Sequence, residues 1–234
     1  TFDAELKSQT PLRRSRLEDF VQSCLDASNQ LVGNLQRAGE LIQSFKQVAV
    51  DRSNAERRPF ELLEATEQIV ASLRPVLKKS PVAVDIDIPE GIVLDSYPGS
   101  YGQVLTNLFL NAATHAYADG RAGTITMTAR PRGSDDIEIV FSDDGVGMTP
   151  DVLRQAFDPF FTTRRSEGGT GLGLHIVYNL VTQQMGGRMM LESRPDAGTT
   201  FRIIIPRSPR GANAEAHISI NGSTQWPNRT MSSS

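Results

Sequence analysis

Only one cysteine, Cys24, occurs in 234 residues, which excludes an internal disulfide and a four-cysteine zinc site and suits a reducing compartment. No apolar run approaches the ~20 residues needed to span a bilayer. The first residues, Thr-Phe-Asp-Ala-Glu, lack the charged and apolar regions of a signal peptide. Aromatics are scarce at 6%, and neither sign of charge dominates, with 24 Lys and Arg against 27 Asp and Glu. A net charge of −3 offers no global basic field for nucleic acid or an anionic membrane, so a polyanion would have to be held locally. The start at Thr1 reads as a piece of a larger protein, with this part cytoplasmic and without a transmembrane segment. What is present is ordinary globular material, 38% hydrophobic and 22% charged, enough for one sizeable domain and a smaller element.

Over residues 15–52, Leu17, Val21, Cys24, Ser28, Leu31, Leu35, Ala38, Ile42, Phe45 and Ala49 recur at alternating spacings of four and three. This predicts a long helix with a heptad seam, about 57 Å at ~1.5 Å per residue. Cys24 then belongs to the seam as a small core residue. Pro11 and the preceding residues read as the end of an earlier helix and a turn, so residues 1–52 form the distal part of a helical hairpin. Two such hairpins would bury their seams as a four-helix bundle.

The polar stretch 51–58 marks a hinge to a second domain, 53–206. There, helices are predicted over 61–79, 98–117 and 172–185, and strands over 82–88, 124–130, 137–142, 188–193 and 200–206. Helices and antiparallel strands in this order suit an α+β, two-layer sandwich with a sheet packed on helices. The tail 207–234 is polar and expected to be solvated. Ile218-Ser219-Ile220 and Trp226 are its only apolar handles, suggesting that part of it docks.

Four clusters carry chemistry. Asn107, Asn111 and His115 are four apart and share a helical face. The carboxamide oxygens of the two asparagines suit a hard cation held chiefly by phosphates, or equally the capping of nearby backbone. Asp143-Asp144-Gly145-Val146-Gly147-Met148 follows a strand, where a buried Asp143 suits the exocyclic amine of a base and the glycines allow close approach. Such a sequence is also an ordinary turn. Phe157-Asp-Pro-Phe-Phe-Thr162-Thr163-Arg164-Arg165 has the aromatics of a docked lid, hydroxyls for phosphate oxygens, and arginines to offset developing charge, though a plain core turn would look similar. Gly168-Gly169-Thr170-Gly171-Leu172-Gly173-Leu174 runs into a helix, whose first amides are suited to phosphates.

In order and spacing these segments resemble the N, G1, F and G2 boxes of the sensor histidine kinase ATP-binding domain. That family lies within the gyrase, Hsp90, histidine kinase and MutL ATPases, and the likeness covers roughly residues 59–206. It implies a Bergerat-type sandwich that binds ATP and Mg²⁺, with Asn111 as the metal ligand, Asn107 supporting it, and Asp143 reading adenine. Gly145, Gly147 and Met148 would line the base pocket. His115, Thr162, Thr163, Gly169, Thr170, Gly171, Leu172, Gly173 and Leu174 would surround the phosphates, with Arg164 acting on the transferred group. The same likeness implies a homodimer through the bundle and a response-regulator receiver domain as partner.

The family's acceptor histidine lies in a His-Glu-x-x-x-Pro type segment, which His115, His175 and His217 do not match, so the acceptor is expected upstream of Thr1. A packed or capping role is expected for His175. A non-catalytic nucleotide-binding scaffold of the same fold is the alternative. A work-performing ATPase of the Hsp90 or MutL kind would need a glutamate on the N-box helix, and 101–117 has none.

Overall fold

The structure, a computed structural model, describes residues 18–28, 30–33, 56–78, 81–118, 120–165, 169–208 and 218–220. The chain divides into two compact units, Thr1–Gln47 and Val48–Ser234. In the first, residues 18–28 and 30–33 are helical, as the heptads predict. Val21 and Leu31 of the predicted seam are 48% and 63% exposed. Cys24 is exposed too. The earlier part of the hairpin, most of the hinge, and the tail residues His217 and Trp226 lie outside the described residues.

The second unit begins with β1 (Arg58–Glu61), α1 (Leu62–Leu77), β2 (Val82–Asp87), β3 (Val93–Ser96) and α2 (Pro98–Asn111). It continues with β4 (Gly123–Arg132), β5 (Asp136–Asp143), α3 (Pro150–Gln155), α4 (Gly173–Asn179), β6 (Arg188–Ser193), β7 (Thr199–Pro206) and β8 (Ile218–Ile220). β1 and β3 form a separate antiparallel ribbon. The other strands form a mixed sheet in the order β2-β4-β5-β7-β6-β8, parallel at β2/β4 and β6/β8 and antiparallel between. The parallel β2/β4 pair needs a long crossover, which β3 and α2 provide.

Period-two alternation sets the core. Ile125, Met127 and Ala129 of β4, Ile137, Ile139 and Phe141 of β5, and Phe201, Ile203 and Ile205 of β7 all turn inward. Against them α2 lays Val104, Leu105, Leu108 and Phe109, and the Phe109 ring meets Phe141 edge-on at 5.0 Å. α1 closes the other side of α2 through a polar contact. The Thr66 hydroxyl donates to Leu62 O at 2.7 Å and therefore accepts from the Tyr101 hydroxyl at 2.5 Å. Both side chains are buried. Thr66→Val keeps the shape but strands the Tyr101 hydroxyl, so a loss of about 1–3 kcal/mol is expected in urea unfolding.

Several boundaries differ from the sequence reading. Arg58 lies in β1 rather than in a hinge, with Arg57 alongside in a bidentate ion pair with Asp95. The predicted helix 98–117 is α-helical only to Asn111 and then widens into a π turn, Ala112–Ala116. Likewise α4 gives way to a π turn, Leu180–Gln184, before Gly186-Gly187 ends the run. A four-residue spacing cannot distinguish the two windings, and π turns cluster at functional sites. The sequence reading lacks β1, β3 and α3. The last had a usable signal, since Thr149 caps it, Pro150 opens it and Asp151 lies in its first turn. In the tail, expected to be solvated, Ile218–Ile220 docks as a strand beside Met189–Leu191 of β6.

Candidate functional site

The alternation that buries Ile137, Ile139 and Phe141 also turns Asp143, the last residue of β5, onto the core side, where it is 7% exposed. Burial pushes its carboxyl up to about 6. Hydrogen bonds from the Gly145 and Thr199 backbone pull the other way, and the Asp144 charge adds to the rise. The Gly145 N–H donates to Asp143 Oδ1 at 3.1 Å. Thr199 stands opposite Asp143 in the β5/β7 ladder and is itself buried, its hydroxyl 3.0 Å from that of Ser193. Thr199 was not picked out from sequence, because only strand register brings it to Asp143.

The turn after Asp143 is tied on both sides. Val146 N–H donates to Ala116 O at the end of the α2 π turn, and Met148 N–H donates to Ser193 Oγ, both at 2.9 Å. Gly147 has φ +65°, and a Cβ there would stand 1.9 Å from Arg194 O. At Gly145 the same position would be 2.4 Å from Ala116 O. At both glycines a side chain would meet the protein's own backbone. Met148 is partly buried against the core.

The polar face of α2 meets the glycine-rich segment. A Cβ at Gly173 would lie 3.4 Å from the Oδ1 atoms of both Asn107 and Asn111 and 3.5 Å from Asn111 Nδ2. Asn107 donates its amide hydrogen to Gln103 O at 3.0 Å, which turns the bond to its own helix onto the nitrogen and keeps the oxygen an acceptor on the cleft side. One turn further on, His115 Nδ1 is 3.4 Å from Thr163 Oγ1, so the lid segment reaches the same helix.

The lid and the glycine-rich segment are knitted together. Phe160 N–H donates to Gly171 O at 2.9 Å, and Gly169 N–H to Arg164 O at 3.0 Å. Thr162 Oγ1 accepts the Arg164 N–H at 3.1 Å, which makes this hydroxyl a turn support. Arg165 donates to Phe160 O at 2.9 Å. Arg164 is only partly exposed. Phe160 itself is 44% exposed and has φ +68°, a strained backbone of the kind that functional loops carry. Thr170 Oγ1 accepts the Leu172 N–H at 3.3 Å at the entry to α4. Leu172 is buried and Leu174 packs partly buried on the core. His175 donates from Nδ1 to Phe157 O at 3.2 Å, a packed role as expected.

Thus α2, the turn after β5, the lid and the start of α4 are contiguous. Among the described residues no group of three or more His, Cys, Asp or Glu is placed to hold a metal ion. The donors gathered at Gly173 are neutral carboxamides, which fit a hard cation whose charge is met chiefly by a ligand's own phosphates.

In this arrangement a helix face of amides meets a glycine-rich loop. Residues 98–209 match the family of histidine kinase-, DNA gyrase B- and HSP90-like ATPases. More narrowly, the chain carries a sensor histidine kinase ATP-binding domain. It is 43% identical over 109 residues to the sensor histidine kinase ZraS of Salmonella typhi, covering 47% of this chain and 22% of that protein. It is 35% identical over 193 residues to the sensor kinase CckA of Brucella abortus, covering 74% of this chain and 19% of that protein. The matches therefore span about a fifth of these relatives. The catalytic domain of the histidine kinase ThkA superposes with a TM-score of 0.57 at 26% identity, over 66% of this chain and 99% of that one. ThkA in complex with the response regulator TrrA shares the fold, with a TM-score of 0.56 at 18% identity over 90% of this chain and 57% of that one.

Proposed function

We propose that the chain is the ATP-binding catalytic part of a two-component sensor histidine kinase, passing the γ-phosphoryl of ATP to a histidine outside this sequence. The observation that carries this reading is the meeting of the Asn107 and Asn111 carboxamides with Gly173. It brings a cation-suited helix face against amides suited to phosphate. Asp143 takes the adenine amino group, and Asn111 holds Mg²⁺ with Asn107 beside it. His115, Thr163 and the backbone from Gly169 to Leu174 flank the triphosphate. Arg164 answers the charge that develops on transfer. Mg²⁺, when bound, would supply positive charge to the phosphate oxygens.

The bond between the γ-phosphorus and the bridging oxygen breaks as the bond to the acceptor imidazole nitrogen forms, so the residues here position rather than attack. Residues 1–52 serve dimerisation, 53–206 catalysis, and 207–234 form a tail that supplies β8. A receiver aspartate then takes the phosphoryl group, a reading supported by the response-regulator partner of ThkA. Among the described residues no helix is long and apolar enough to cross a membrane.

The test is to titrate ATP with and without Mg²⁺ and to supply a histidine-bearing bundle in trans with γ-labelled ATP. Label on the bundle histidine is expected. Binding without any transfer would instead favour a scaffold. Asn111→Asp is expected to weaken Mg²⁺-free ATP binding by about tenfold through like-charge repulsion and to steepen the Mg²⁺ dependence. A metal titration superimposable on that of the natural sequence would refute the ligand role.

A further inference from the structure

The end of the α2 π turn and the turn after β5 share a set of bonds that nucleotide binding does not itself use. Tyr117 is 3% exposed, and its hydroxyl lies 2.9 Å from both Asp144 Oδ1 and Thr124 O. The same Oδ1 accepts the Thr124 N–H at 2.8 Å. Val146 N–H reaches Ala116 O, adjoining Tyr117, at 2.9 Å. Room for the crossing comes from Gly123, where a Cβ would stand 2.1 Å from the Tyr117 ring and 2.4 Å from Asp144 Oδ1.

Tyr117 follows directly on the element that carries Asn107, Asn111 and His115, whereas Asp144 adjoins Asp143. A buried phenol ending on an exposed carboxylate therefore joins the phosphate end of the cleft to its base end. Asp144 gains little from burial, since it is exposed, so its two accepted bonds are its contribution.

We propose that Tyr117 and Asp144 are a positioning pair that fixes Asp143 relative to the α2 amides and thereby sets affinity for the adenine end of the nucleotide. This rests on the nucleotide-binding reading above. Removing the phenol hydroxyl frees the base-side turn to shift against α2 while leaving the Asn107, Asn111 and Gly173 cluster in place. The loss should therefore fall on ligands with an adenine and spare those with phosphates alone.

The experiment measures ATP, GTP and tripolyphosphate binding, each with Mg²⁺, to the full chain by calorimetry. Tyr117→Phe and Asp144→Ala are each expected to weaken ATP about five- to tenfold, the equivalent of one hydrogen bond, while tripolyphosphate changes by less than about twofold. The loss in the double variant should fall short of the sum of the two single losses, since the Tyr117–Asp144 bond is common to both. Asp144→Asn keeps an Oδ1 acceptor and should recover most of what Asp144→Ala loses. Unchanged ATP affinity in both single variants would overturn the proposal, as would equal losses for ATP and tripolyphosphate. Should Tyr117→Phe unfold, the exposed Asp144 position still decides it. If the natural sequence shows no preference for ATP over GTP, the Asp143 assignment itself fails, a result separate from an unaffected Tyr117→Phe.

Discussion

Asp143→Asn is expected to cost about 1.5–3 kcal/mol of ATP affinity, the range for a hydrogen bond to a charged group, or roughly ten- to a hundredfold in Kd. The amide retains one oxygen acceptor but loses the charge, and it brings two hydrogens to a buried site that already receives the Gly145 N–H. A pH signature accompanies this. Burial raises the Asp143 carboxyl to about 6, and adenine's amino group binds the ionised form more tightly than the neutral acid. ATP binding below that pH therefore releases a proton. Affinity should rise with pH up to about 6 and level off above it, with a slope of at most about tenfold per unit on the acid side. The asparagine variant should lack this step. Calorimetry between pH 5 and 8, on both proteins, checks affinity and proton release together. Equal affinities, or a step that survives in the variant, would count against Asp143 as the base contact.

The largest effect on stability is expected from Gly147→Ala. The residue holds φ +65°, and the added methyl would lie 1.9 Å from Arg194 O, a backbone atom that cannot swing aside like a side chain. Left-handed strain and the forced separation of this turn from the β6/β7 hairpin together should cost about 2–5 kcal/mol. Urea unfolding measures this as a lowered midpoint. Gly99→Ala is the matching control. It lies in the first turn of α2 with nothing within 4 Å of the new methyl, and it should be neutral or slightly stabilising. Similar midpoints for the two variants would show that the turn yields more easily than its geometry suggests.

Much of the site could be read from sequence because its parts are local patterns. The four-residue recurrence of Asn107, Asn111 and His115 identified a polar helix face. The end of an alternating run placed Asp143 where a strand meets a turn. Glycines ahead of Leu174 marked the start of a helix. Relations set by register or by distant packing were not legible. Thr199 is brought to Asp143 only by the β5/β7 ladder, and Tyr117 meets Asp144 only because α2 and β5 end side by side. The backbone packing at Gly145 and Gly147 was not legible for a related reason. A glycine signals that something comes close, and whether that is ligand or chain depends on folds of the backbone far away in sequence. β1 and β3 escaped because each spans four residues with little alternation, and their pairing across α1 and β2 has no local signature.

A sheet border presents a row of amide and carbonyl groups ready to recruit any passing extended chain. At one border of this sheet, Ile218–Ile220 already occupies part of that row along Met189–Leu191. At the other, β2 directs Ala83, Asp85 and Asp87 outward, so a strand arriving there would meet carboxylates. One rim is thus lengthened by a short strand from the chain's own tail and the other carries carboxylates, a feature that discourages the fibrous stacking that flat sheets invite.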